Sequence, residues 1–152
     1  MTNNAAAKSF ISNKPYSVPI EMRPLWRMCL ILVSIAALSG DKRYLSVKKV
    51  NMLVWMLIRQ HRWDEYEDYL YERTRDIPLV SADTATYKAV ELALAKGFIR
   101  LEDARLHITD TGLEIHQLLL DNDIMCEEIW FLTNIGKKLS DEKIKAITGG
   151  LL

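Results

Sequence analysis

The chain has 152 residues, enough for one domain with a substantial core. It is 49% hydrophobic and carries 20 basic against 20 acidic residues, so no overall electrostatic bias draws it to nucleic acid or to an anionic membrane. The longest apolar run, "MCLILVSIAAL" at residues 28–38, has 11 residues, well short of the ~18 that span a bilayer, and predicts a core helix.

Residues 1–22 are polar at first and contain Pro15 and Pro19, which predicts a flexible or extended arm. Arg27 ahead of the apolar run and Ala37-Leu38-Ser39 behind it have the outline of an export signal. The long leading region with Glu21 and the absence of a disulfide framework argue against one. Cys29 and Cys126 each sit in an apolar helical pattern with no Cys or His partner nearby, which predicts two buried thiols in a reducing, cytoplasmic setting.

Pro24 opens the first predicted helix and Gly40 stops it. Its residues are apolar nearly all round, so it belongs at the centre of the core or under a partner. Ser46 caps a second helix through about Gln60, and "RWDEYEDYLYERTRD" gives a third that Pro78 prevents from continuing. "IPLVS" reads as a short extended segment. Asp83 or Thr84 caps the next helix, with Tyr87, Val90, Leu92 and Leu94 as its apolar positions and Gly97 as its stop.

"FIRLE" and "RLHIT" then alternate as two strands joined at Asp103-Ala104, with Leu101, Leu106 and Ile108 expected on the inner side and His107 on the outer. Thr109 or Asp110 caps a helix through Leu120. "DIMCEEIWFLTNIGKK" and "DEKIKAIT" add two more, the last capped by Ser140. The fold expected is mainly α within the α+β class: a winged helix-turn-helix with a small β-hairpin wing and added C-terminal helices. Its parts are the arm at 1–22, the winged-helix domain at 23–122, and a helical extension at 123–152 packing on the same domain.

A winged helix that reads DNA needs cations near its major-groove helix and wing. Over residues 83–109 four basic and four acidic residues cancel, and Glu102-Asp103 at the wing tip repels phosphate. Residues 41–62, by contrast, hold six cations against Asp41 alone, and residues 63–76 hold six carboxylates against Arg73 and Arg75. Lys42, Arg43, Lys48 and Lys49 are therefore the candidate patch for DNA or an acidic partner, beside the blander reading of a solvated loop and helix start. Any contact with nucleic acid is expected to be weak.

No pattern points to catalysis. His61, His107 and His116 lack metal-ligand spacing, the glycines form no phosphate loop, and Asp64, Glu65, Asp68 and Glu72 read as a solvated helix face. No catalytic residue, metal or cofactor is expected. Trp130 and Phe131 adjoin in "IWFLTNIG", so a helix that buries one turns the other roughly 100° away. The pair is the candidate protein interface.

The runs "RPLWRMCLILVSIAALSGDKRYLSVKKVNMLVWML", "ALAKGFIRLEDARLHITDTG" and "FLTNIGKKLSDEKIKAI" resemble the small middle component of bacterial ABC-three-component, or Lamassu-like, antiphage defence systems, over about residues 23–147. The resemblance implies an accessory subunit, without catalysis of its own, that links an SMC-like ATPase to a separate effector, often a nuclease. In role and winged-helix character that family is similar to the accessory subunits of bacterial SMC condensins, which work mainly by protein docking. The competing expectation is a stand-alone winged-helix DNA-binding transcriptional regulator.

Overall fold

A helix with no polar face has to be surrounded, and the first helix organises everything else. The computed structural model describes residues 23–149; the arm expected at 1–22 lies outside them. Helix α1 (Pro24–Leu38) has Arg23 as its N-cap, with proline in the first turn. Met28, Leu30, Ile31, Leu32, Val33 and Ile35 are all buried. Helices α2 (Val47–Ile58), α4 (Thr84–Ala95), α5 (Asp110–Asp121) and α6 (Cys126–Gly136) all pack around it. Ser34, its one buried hydroxyl, donates to the Leu30 carbonyl at 2.7 Å and so is satisfied within the helix.

Between these lie α3 (Trp63–Leu70) and, after α6, the closing helix α7 (Asp141–Thr148). Side-chain caps form where the sequence places Ser, Asp or Thr. Ser46 accepts from the Lys49 amide, Asp83 from Thr86, Thr109 from Gly112 and Ser140 from Lys143. Phe131, Leu132, Ile135, Leu139, Ile144 and Ile147 join the same apolar cluster as α1, so the C-terminal helices are packed on the core formed by the rest.

Strands β2 (Ile99–Glu102) and β3 (Arg105–Ile108) form the expected hairpin. Asp103 and Ala104 both take positive φ, 53° and 59°, as a tight two-residue hairpin turn requires. A third strand, β1 (Tyr44–Ser46), pairs with β3, giving an antiparallel sheet in the order β1-β3-β2. The sequence hid it, because three residues among Lys and Arg carry no alternating pattern. The Arg43 carbonyl and Val47 amide extend its ladder, bonding Ile108 and Ala104 at 2.9 and 3.0 Å.

Three packing expectations need correction. Helix α4 buries Thr86, Ala89 and Ala93 while Tyr87 is exposed. Small side chains let α4 lie close against α1, and the larger apolar residues fall to its flanks. Leu101 is exposed beside the hairpin tip, beyond the edge of the core, while Ile99, Leu106 and Ile108 are buried. Cys126 is exposed in the first turn of α6, and Cys29 is only half-buried. Burial raises the Cys29 thiol above its ordinary 9.0. A thiol-specific label is therefore expected to modify Cys126 rapidly and Cys29 slowly in the folded protein; equal rates by mass spectrometry would contradict this placement.

Helix α1 is tied to α4 by a polar clasp. The buried Arg27 guanidinium lies 3.3 Å from both Asp83 carboxylate oxygens and 3.1 Å from the Thr86 hydroxyl. Burial by itself would raise the Asp83 carboxyl. The Thr86 hydroxyl and amide, with the charges of Arg27 and Arg59, outweigh it and hold Asp83 below the ordinary 3.8. A carboxyl depressed in the folded state contributes stability that is complete above about 3.8 and is lost as pH falls through the lower folded value. Asp83→Asn, which keeps a capping oxygen, should therefore lose less stability than the wild type on acidification from roughly pH 5 to 3. Parallel acid denaturation curves for the two would refute the clasp.

Candidate functional site

The four expected patch cations do not act together. Lys48 and Lys49, in the first turn of α2, face the last helix across a hollow of about 390 Å³ shared with Asp141, Ile144 and Lys145. Burial lowers the Lys49 ammonium, and the Asp141 carboxylate opposes that shift. This half of the patch therefore faces α7 and not the hairpin.

Lys42 and Arg43 instead join the hairpin. With Arg100, His107 and Asp110 they line a cleft of about 410 Å³. Strand register makes the site. Tyr44 lies opposite His107, and His107 opposite Arg100, so one row across all three strands carries these side chains on the face turned away from Leu106 and Ile108. The Tyr44 and His107 rings meet at 4.9 Å, and the Arg105 guanidinium covers Tyr44 at 4.6 Å. Arg43 bonds Asp110 at 2.8 Å, and Glu102 lies 3.8 Å from both Arg100 and His107.

The aromatic pair divides. Phe131 is fully buried, its ring stacked on Trp63 at 4.4 Å and 9°. It is core, and its place in the expected interface is withdrawn, because the face of α6 that meets α1 and α3 passes through it. Trp130 is 65% exposed and borders a hollow of about 340 Å³ with Gln60, Trp63, Cys126 and Glu127.

A second apolar surface has no counterpart in the sequence pattern. Leu25, Trp26 and Cys29 of α1, with Leu119, Ile124 and Met125, line an open and mainly apolar groove of about 260 Å³ that Arg23 borders. Leu118 and Leu120 are exposed on the same stretch of α5. Leu25 and Ile124 both read as ordinary helix residues in the sequence; the structure puts Ile124 in the turn before α6, and only the meeting of that turn with α1 makes them a surface.

Three of the four carboxylates read as a helix face are paired with cations. Glu65 pairs with Arg62, Asp68 with Arg73, and Glu72 beyond the helix with Lys143. Among the described residues no cluster of His, Cys, Asp and Glu has the makings of a metal site, and no helix is long and apolar enough to cross a membrane. Compared with models of protein families, with curated proteins and with solved structures, the chain matches none.

Proposed function

We propose that this chain is a winged-helix domain used for docking proteins. The order α1, β1, α2, α3, α4, β2, β3, in which α3 is an added helix, with the sheet ordered β1-β3-β2, supports that class. Within the class, the proposed role is a non-catalytic bridging subunit that links an SMC-like ATPase to an effector in an antiphage defence complex of the cytoplasm. The two free cysteines suit that compartment.

The observation that carries this reading is the apolar groove with its exposed rim. Leu25, Leu118 and Ile124 are 61%, 57% and 40% exposed. Large apolar side chains gathered on a protein of zero net charge favour an interface over bare surface. The competing regulator would need a cationic α4, yet its outer face offers Lys88 and Glu91 beside Tyr87.

The test is co-expression with the products of the adjacent reading frames. A coiled-coil ATPase should co-purify with the wild type, and a Leu25→Asp, Ile124→Asp variant should lose it while retaining the wild-type circular dichroism. An ATPase that still co-purifies with the variant would refute this docking surface. Sub-micromolar, sequence-specific duplex binding by the isolated chain at physiological salt would favour the regulator instead.

A further inference from the structure

We propose that the cleft on the outer sheet face binds a phosphate group, with Lys42, Arg43 and Arg100 as its cationic ligands and Asp110 as a built-in competitor. This site is separate from the apolar groove and does not depend on the docking role.

The argument begins with charge. The cleft is lined by Lys42, Arg43 and Arg100 against Asp110 alone, a local excess of cations on a chain with none overall. Lys42 has no ion-pair partner among the described residues. Arg100 meets only Glu102, at 3.8 Å, and the two side chains are 57% and 59% exposed. Such pairs contribute little, so exchanging them for a ligand costs little. Arg43 is placed more firmly. Its φ of 64° is an uncommon conformation for a residue with a side chain, held by the bond from the Ile108 amide to its carbonyl. Backbone held in this way at the rim of a cleft fixes where its guanidinium starts.

Asp110 indicates what the cleft accepts. Its carboxylate is 90% exposed yet sits 2.8 Å from Arg43, an anion offered by the chain to its own cations. A phosphate oxygen has the same charge-assisted geometry towards a guanidinium and brings more negative charge to reach Lys42 and Arg100 as well. His107, restrained by Tyr44, lines the same cleft and can add an N–H donor. The ligand gains access by displacing Asp110, which explains why binding in the wild type should be weak.

The phosphate belongs either to a free anion or to a nucleic-acid backbone, and the two are separable. Full-length protein is titrated with inorganic phosphate, following the His107 ring resonances, and with a fluorescent DNA duplex, following anisotropy at several salt concentrations. Asp110→Asn should tighten binding of at least one probe, and Arg100→Ala and Lys42→Ala should each weaken it about tenfold or more. Both substituted cations are exposed, so the fold should survive, as circular dichroism would verify. Lys48→Ala should change nothing. Saturation by phosphate with no duplex binding assigns a free anion; duplex binding whose salt slope falls by about one on loss of Arg100 assigns a backbone. If neither probe binds the Asp110→Asn variant, or if Arg100→Ala and Lys42→Ala leave binding unchanged, the proposal is overturned.

Discussion

Replacing Phe131 by Asp is expected to unfold the protein, while the same change at its neighbour Trp130 leaves it folded. Phe131 has no exposed surface and stacks on Trp63, whose indole N–H is itself fixed on the Met56 carbonyl at 2.9 Å. Truncating a buried Phe to Ala removes about 3–5 kcal/mol. That is a large share of the ~5–15 kcal/mol that holds a typical domain together. Asp adds the cost of desolvating a carboxylate with no cation offered to it. Trp130 loses only surface contacts, a change of about 0.5 kcal/mol or less. Urea melts of the two variants decide the matter: comparable midpoints would mean that α6 does not face the core as described. The contrast also determines which variant can report on partners. Loss of a partner with Phe131→Asp would reflect an unfolded chain, whereas loss with Trp130→Asp would reflect a surface.

The local physics of most elements is written in short stretches of sequence. Ser46, Asp83, Thr109 and Ser140 each mark a helix start by supplying an oxygen where backbone N–H groups lack partners, and the structure uses all four. The central position of α1 follows from its lack of a polar face. What stayed hidden depends on contacts between segments distant in the chain. β1 is a strand because β3 lies beside it, and nothing in "RYLSV" announces that partner. The apolar groove arises where Leu25 meets Ile124, about a hundred residues later.

The candidate cations show the same division. Lys42, Arg43, Lys48 and Lys49 form one run in the sequence, and charge density alone groups them. The β1 strand between the two pairs sends one pair to the hairpin and the other to α7. Arg100 and His107 could be assigned to an outer strand face from alternation, but only the register sets them in one row with Tyr44. The adjacency of Trp130 and Phe131 allowed two assignments, since either ring could have faced the core. The packing of α6 on α1 and α3 selects Phe131.

Gly112→Ala should lower stability, although local propensity predicts the reverse. Gly112 lies in the first turn of α5, where alanine is ordinarily better than glycine by about 0.5–1 kcal/mol. Its surroundings change the sign. A Cβ at this position would run into the Phe98 carbonyl oxygen and come within 2.8 Å of the Ile108 Cγ1. Neither neighbour can yield easily. The Phe98 carbonyl accepts from the Thr109 amide at 3.0 Å, and Ile108 is buried and laddered to Ile99. Relief would have to come from moving α5 away from the hairpin base, which also strains the Thr109 cap on the Gly112 amide. Overpacking of this kind costs about 1–3 kcal/mol, and for a chain of this size each kcal/mol lowers Tm by roughly 2–4 °C. Gly136→Ala serves as the matched control. Its new Cβ would meet the Leu38 Cδ2 methyl, the far end of a side chain that can turn aside. Thermal melts should therefore show a clear fall in Tm for Gly112→Ala and a smaller change for Gly136→Ala. A rise in Tm for Gly112→Ala would mean that α5 does not close on the hairpin base, and the cleft formed there would lose its rigid wall.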